Sequence, residues 1–178
     1  ALVSAEWLKD NLSCSSVKVV DATWYLPNLP KNARSEYKHF HIPKAVFFDI
    51  DQISDKSNFL PHMLPMKEQF SDQVSELGIS NNDKIIIYDL NGGYSAAARV
   101  WWMFRVFGHE NVCLLNGGFS NWVANGYVTE TGFENIQKGK YTAELNNQLV
   151  SSFQDIMMNL KLGTSQIVDA RSEGRFFG

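Results

Sequence analysis

The stretch Ile85-Ile86-Ile87-Tyr88-Asp89-Leu90-Asn91-Gly92-Gly93-Tyr94 decides the fold of this chain. Its first part, Ile85 to Tyr88, is apolar at every position, which is typical of a central parallel strand that is covered on both faces. The part from Asp89 to Tyr94 contains adjacent glycines and indicates a turn. An apolar-rich segment from Ser95 to Phe107 then predicts a helix that Gly108 ends. A strand, a loop and a helix in this order are typical of a parallel α/β sheet.

The same alternation of strands and helices continues on both sides of this stretch. Right-handed crossovers between such strands place helices on both faces of a parallel sheet, and active sites lie at the carboxyl ends of the strands. The sequence therefore predicts an α/β fold with helices on both faces. Further strands are predicted at Val17 to Asp21, Ala45 to Phe48 and Val112 to Leu115, and helices at 5–11, 34–40, 66–77 and through Trp122.

An internal repeat predicts a second copy of this fold. Leu2-Val3-Ser4 leads to Val19-Val20-Asp21-Ala22, and Leu149-Val150-Ser151 leads to Ile167-Val168-Asp169-Ala170. A repeat near domain size indicates tandem domains. We expect a first domain at 1–128, a linker at 129–148 and the truncated start of a second domain at 149–178, with a helix from Phe153 and a strand from Gln166 to Asp169.

Composition excludes several classes of function. The chain of 178 residues is 44% apolar with a net charge of −3, and its basic residues are scattered, which argues against a nucleic-acid partner. No apolar run approaches the ~20 residues of a spanning helix, so no membrane partner is expected. Cys14 and Cys113 lack metal or disulfide spacing, and we expect a reducing compartment. The expected compartment is the cytoplasm, or the mitochondrial matrix if a presequence has been removed.

The loop from Asp89 to Tyr94 is the expected place for chemistry. Backbone N–H groups and the following helix dipole favour an anion at such a loop, which can be a phosphate, a carboxylate or a thiolate. No Gly-Lys-Ser/Thr follows the glycines, which excludes a P-loop. No cysteine begins the loop, which excludes a cysteine phosphatase.

Several separated motifs stand in order along the chain. They are Val19-Val20-Asp21-Ala22, His41-Ile42-Pro43-Lys44-Ala45, Tyr88-Asp89, Arg99-Val100-Trp101-Trp102 and Leu115-Asn116-Gly117-Gly118 with Trp122. Together these motifs resemble the rhodanese superfamily, and in particular its tandem thiosulfate and 3-mercaptopyruvate sulfurtransferases. The resemblance implies a rhodanese-like sheet and a sulfur atom carried on a cysteine, so that neither a cofactor nor a metal is expected.

In that family a reactive cysteine heads the loop after the central strand, where amides lower its pKa. This chain has Asp89 at that position. A carboxylate cannot carry a labile sulfur atom, so the resemblance implies a non-catalytic first domain. The working cysteine is then expected in the second domain, beyond residue 178.

The resemblance also assigns roles to residues outside the loop. His62 with Asp51 matches a pair proposed to transfer a proton in mercaptopyruvate-type enzymes, and this chemistry suits a histidine that a carboxylate orients. Arg175 matches an arginine that binds the anionic sulfur donor. Trp24 and Tyr94 match aromatic residues at the entrance of the active site. The family commonly has Ser-Ala-Pro-Arg where this chain has Ser-Ala-Ala-Ala-Arg at 95–99, which places the position of Tyr94 in question.

The sequence thus predicts the front portion of a sulfurtransferase. It would move sulfur from 3-mercaptopyruvate, favoured over thiosulfate because of His62, to a thiol, a thioredoxin-like protein or cyanide. This portion by itself is expected to be inactive and to need its own missing C-terminal domain. The alternative is a non-catalytic rhodanese-like binding or regulatory module, which Asp89 favours.

Overall fold

The computed structural model describes residues 1–92 and 95–178 and divides them into two compact units. The first unit is Ala1–Asn146 and the second is Asn147–Gly178. In the described part of the chain no helix has the length and apolar character needed to cross a membrane.

A five-stranded parallel sheet forms the centre of the first unit, with the strand order β1-β5-β4-β2-β3. The apolar run that begins at Ile85 becomes the middle strand, as the sequence predicts, because both of its faces are buried. Asp21 lies level with Tyr88 and Phe47, so the carboxyl ends of β2, β3 and β4 share one edge. The strands are β1 Leu2–Val3, β2 Val17–Asp21, β3 Ala45–Phe47, β4 Lys84–Tyr88 and β5 Val112–Leu115.

The helices connect these strands in the positions that the sequence predicts. Ser4 caps the first helix by accepting the N–H of Trp7 at 3.1 Å, and Gly78, with φ of +73°, follows the third. The helices of this unit are α1 Ala5–Asn11, α2 Ala33–His39, α3 Lys67–Glu76, α4 Ala96–Val106 and α5 Gly118–Ala124.

Alternate residues of the strands build a separate core on each face of the sheet. Ile85 and Ile87 face a cluster that includes Phe70 and Phe104. Ile86 and Tyr88 face the other cluster, with Trp122. Since successive strand side chains point to opposite faces, the apolar run fills both cores.

The first unit extends further than the expected boundary at residue 128. Much of the expected linker packs on this unit, because its backbone finds partners there. Gly139 N–H donates to Ser75 O at 2.8 Å, and Tyr141 N–H donates to Ser75 Oγ at 3.0 Å. The Tyr141 side chain is buried in the core beside Phe104. The boundary between the compact units therefore follows Asn146.

The second unit contains α6 Phe153–Leu162 and α7 Glu173–Phe177, preceded by a short 3-10 turn at Asn147–Leu149. Helix α6 confirms the expected helix, and a capping box between Ser152 and Asp155 begins it. The strand expected from Gln166 to Asp169 is absent, so that prediction is wrong for this chain. A strand needs neighbouring strands for its backbone groups, and the unit 147–178 contains none.

Candidate functional site

The candidate site lies at the edge where parallel strands β2 and β4 end. Asp21 is the last residue of β2, and Asp89 directly follows β4. Both side chains are fully buried. Two carboxyl groups are thus brought to one edge of the sheet, where α/β proteins place their binding sites.

The Asp89 carboxylate occupies the loop with its own negative charge. Its Oδ1 accepts the N–H of Asn91 and its Oδ2 accepts the N–H of Ala97 in the first turn of α4, each at 2.9 Å. The backbone oxygen of Asp89 accepts the N–H of Phe119 at 3.2 Å. The sequence predicts that loop amides bind an anion, and the side chain of Asp89 is the anion that engages these two amides.

Asp21 and Thr23 hold the neighbouring chain in place. Asp21 Oδ1 accepts the N–H of Thr23 at 2.8 Å, and Thr23 Oγ1 accepts the N–H of Leu90 at 3.1 Å. Burial raises the pKa of Asp21, and the nearby charge of Asp89 adds to this effect. Sequence reasoning treated Asp21 only as the end of a strand and assigned no role to Thr23.

His62, Asp51 and Trp24 lie together beside this edge. His62 Nε2 donates to Asp51 Oδ1 at 2.7 Å, and Trp24 Nε1 donates to the same carboxylate, at 3.2 Å from Oδ2. The indole and imidazole rings meet edge to face, with centroids 5.0 Å apart. Because the ionised carboxylate only accepts, it fixes the proton of His62 on Nε2 and leaves Nδ1 for proton exchange.

The backbone of this loop is held by Arg99 from α4. His62 has φ of +56°, a left-handed conformation that is uncommon for a residue with a Cβ. Arg99 Nη2 donates to the His62 carbonyl oxygen at 2.6 Å. Lys56 Nζ also contacts the Asp51 carbonyl oxygen. The sequence analysis named Arg99 only as part of a motif, and no local pattern could have connected it to His62.

A small cavity of about 190 Å³ opens beside the His62 ring. Half-buried Arg99 and the residues that begin α4 form its far wall, and the buried Arg99 Nε has no hydrogen-bond partner among the described residues. Burial lowers the pKa of Arg99. The lining residues are Trp24, Ile50, His62, Ser95, Ala96 and Arg99.

A larger cavity of about 510 Å³ lies elsewhere on the first unit and includes Cys14 and Glu134. Among the described residues, none of the site residues that the sequence predicts lines it. We therefore take the smaller cavity as the candidate site, because His62 and Trp24 both line it.

Two further site residues that the sequence predicts are Tyr94 and Arg175. Tyr94 lies outside the described residues. Arg175 belongs to α7 of the second unit, with an exposed side chain. In the same unit Arg171 is engaged by Asp169, with Nε donating to Oδ1 at 2.9 Å and to Oδ2 at 2.8 Å.

Comparison with known proteins places the chain among related sequences and folds. The model of the rhodanese-like domain matches residues 4–125. The 3-mercaptopyruvate sulfurtransferase of Mus musculus is 42% identical over 183 residues, covering 100% of this chain and 62% of that protein. The mitochondrial thiosulfate/3-mercaptopyruvate sulfurtransferase 1 of Arabidopsis thaliana is 42% identical over 198 residues, covering 99% and 52%.

Among solved structures, SseA from Escherichia coli, a 3-mercaptopyruvate sulfotransferase, superimposes with a TM-score of 0.92 at 37% identity. The match covers 98% of this chain and 67% of that one. The chain spans only 52% and 62% of the length of the plant and mouse relatives.

Proposed function

This chain belongs to the rhodanese-like domain family, and we propose that it forms the N-terminal part of a sulfurtransferase. The sulfur donor is 3-mercaptopyruvate, favoured over thiosulfate, and the sulfur passes through a cysteine persulfide to a thiol, a thioredoxin-like protein or cyanide. The observation that carries this proposal is the contact of His62 with Asp51 beside a cavity at the edge of a rhodanese-like sheet. The names of the relatives, which include both donors, support the reaction class but not one donor.

The sulfur-carrying cysteine of this proposal comes from sequence that follows residue 178. Asp89 stands in the loop, and its oxygens are engaged by the amides of Asn91 and Ala97. Cys113 lies within strand β5, and Cys14 is an exposed residue shortly after α1. Neither thiol is in the loop that follows the central strand, so neither is the proposed carrier.

The chemistry gives His62 a defined task. The cysteine thiolate attacks the sulfur of 3-mercaptopyruvate, an S–S bond forms, and the C–S bond breaks with its electron pair going to carbon. The resulting pyruvate enolate takes a proton, and protonated His62 donates it from Nδ1 while Asp51 holds Nε2. With thiosulfate, the thiolate takes the outer sulfur, the S–S bond of the donor breaks, and sulfite leaves with the electron pair. No carbon then needs a proton, so a proton-donating His62 favours 3-mercaptopyruvate as the donor.

Three further residues complete the proposed site. We assign Trp24 and Tyr94 to its entrance. Arg175 binds the donor carboxylate, because a guanidinium group matches a carboxylate with two parallel hydrogen bonds. The proposed compartment is the cytoplasm or the mitochondrial matrix, and the Arabidopsis relative is a mitochondrial protein.

Mass spectrometry of intact protein tests where the carrier thiol lies. After incubation with 3-mercaptopyruvate or thiosulfate, the purified 178-residue chain is expected to gain no sulfur atom. The longer protein that includes the following domain is expected to gain one. Persulfide formation on Cys14 or Cys113 would contradict the proposal.

Steady-state kinetics of the longer protein test the role of His62. His62→Gln should lower kcat with 3-mercaptopyruvate by about 10²-fold or more, the usual contribution of a positioned acid, and leave turnover of thiosulfate nearly unchanged. The matched control is His39→Gln, which changes an exposed histidine on α2. Equal losses with both donors would contradict a proton-transfer role.

A non-catalytic binding module remains the second candidate, and the engaged carboxylate of Asp89 is the observation that favours it. The two candidates differ in one result. If the longer protein gains no persulfide with either donor but its folded state is intact, the binding module is the correct function.

A further inference from the structure

The buried side chain of His41 lies outside the candidate site, and only one of its two ring nitrogens has a hydrogen-bond partner among the described residues. Its imidazole stacks on Tyr37, with ring centroids 4.2 Å apart, and Nδ1 lies 2.8 Å from the Tyr37 carbonyl oxygen. A carbonyl oxygen only accepts, so Nδ1 carries a proton and donates it. In the neutral ring the lone pair is therefore on Nε2.

The Nε2 atom is fully buried and has no hydrogen-bond partner among the described residues. It lies 3.8 Å from Glu134 Oε1, which is beyond hydrogen-bond distance. An acceptor that is buried without a partner is costly, and it needs either a donor or a cation to offset its lost hydration. His41 Nε2 therefore faces the Glu134 carboxylate, and a small cation between them would have a nitrogen ligand on one side and an oxygen ligand on the other.

A second carboxylate closes the arrangement. Glu130 and His41 form an antiparallel bridge, with Glu130 N–H donating to His41 O at 2.9 Å and His41 N–H donating to Glu130 O at 3.0 Å. Glu130 Oε2 accepts the N–H of Lys44 at 3.0 Å. Three potential ligand atoms, one from each of His41, Glu130 and Glu134, lie within 4.8 Å of one another.

The segment that carries both carboxylates is fixed to α2. Gly132 N–H donates to Lys38 O at 2.8 Å, and the Phe133 ring lies 5.7 Å from the Tyr37 ring. The nearby ammonium group of Lys44 donates to Leu12 O at 2.9 Å. These contacts hold the backbone just before Glu134 next to α2, and the Glu134 side chain is 32% exposed.

We propose that His41, Glu130 and Glu134 bind one divalent transition-metal ion, with Zn²⁺ as the expected ion. A histidine that donates its other N–H to a backbone carbonyl is the usual form of a metal ligand, because that bond fixes the tautomer. An imidazole with two carboxylates suits Zn²⁺, whereas Mg²⁺ and Ca²⁺ prefer ligand sets of oxygen only. Solvent supplies the remaining positions on the side of Glu130.

The ion would join the 130–134 segment to the connection between α2 and β3. Its role is structural, and the inference does not depend on the proposed sulfurtransferase activity. It replaces the expectation, drawn from cysteine spacing and from the family resemblance, that the chain holds no metal. The competing arrangement is a protonated His41 that pairs with Glu134 directly.

Titration calorimetry with Zn²⁺ on the 178-residue chain tests the proposal. All variants carry Cys14→Ser, because Cys14 lines the same cavity as Glu134 and a thiolate would bind Zn²⁺ by itself. Glu134→Gln should weaken the binding of one equivalent by about tenfold or more. Glu130→Gln/Glu134→Gln should abolish it, and Glu144→Gln, which changes an exposed carboxylate, should leave it unchanged.

Circular dichroism and the Tm without metal establish that each variant is folded, and ¹⁵N NMR of the histidines gives a second readout. Zn²⁺ is expected to shift His41 Nε2 in the Cys14→Ser chain, and Mg²⁺ at the same concentration is expected to have no effect. Unchanged Zn²⁺ affinity in the double variant would overturn the proposal. The absence of Zn²⁺ binding to the Cys14→Ser chain would also overturn it, and a His41 ring protonated on both nitrogens would then identify the direct pair with Glu134.

Discussion

Replacing Asp89 with alanine removes the buried carboxylate that organises the loop after the central strand. The two amide groups that lose their acceptor are in different surroundings. Asn91 is half-buried, so its N–H can form a hydrogen bond with water instead, whereas Ala97 is fully buried at the start of α4. The cost of the substitution should therefore come mainly from the stranded N–H of Ala97.

The magnitude follows from these two bonds. A hydrogen bond to a charged group contributes about 1.5–3 kcal/mol, so the pair contributes about 3–6 kcal/mol. Against this gain stands the desolvation of a carboxylate that is fully buried. We expect Asp89→Ala to lower the free energy of unfolding by about 2–4 kcal/mol, and Asp89→Asn, which keeps one acceptor, by about half as much.

Urea denaturation at pH 7 measures this difference from the shift of the midpoint at constant m-value. The matched control is Asp55→Ala, because Asp55 also accepts two local hydrogen bonds, from Ser57 N and Oγ, in an exposed turn. The Asp55→Ala variant should lose much less stability, because the exposed amide and hydroxyl groups of Ser57 can bind water instead. If Asp89→Ala stays within about 0.5 kcal/mol of the parent chain, the loop amides do not depend on the carboxylate, and our reasoning about this loop is wrong.

Three further predictions test other contacts of the first unit. Arg99→Lys replaces the planar guanidinium group that donates to His62 O. Amide hydrogen exchange at residues 60–64 should therefore accelerate by about tenfold, while Arg105→Lys should have no effect there. Unchanged exchange in Arg99→Lys would show that Arg99 does not position the loop. Gly139→Ala places a Cβ 2.2 Å from Ile79 O and should lower the free energy of unfolding in urea by about 1–3 kcal/mol. The control Gly174→Ala, with no atom within 4 Å of the new Cβ, should lower it by less than about 1 kcal/mol. Equal losses would contradict the packing of the 129–146 segment. Burial lowers the pKa of His109, so the folded state binds fewer protons than the unfolded state. The stability that neutral His109 provides is therefore present above about pH 6.5 and is lost as the pH falls. In urea titrations between pH 8 and 5, His109→Gln should reduce this loss of stability, and an identical dependence of stability on pH in both proteins would refute the prediction.

The candidate site was only partly visible in the sequence. The resemblance assigned His62, Asp51 and Trp24 to one site, and the structure brings them into contact. Arg99 was missed because the residue that it holds is far away along the chain. The roles of Arg175 and Tyr94 stay predictions, since one belongs to the second unit and the other lies outside the described residues.

The sequence by itself determined the parallel α/β architecture and the central position of Ile85–Tyr88. These features depend on local patterns, because an apolar run, a helix cap or a glycine acts through its immediate neighbours. Tertiary structure alone decided that the 129–146 segment packs against α3, that Arg99 donates to the His62 carbonyl oxygen, and that His41 faces Glu134. Such contacts join residues from separate parts of the chain, and their geometry is set only when the whole core has packed.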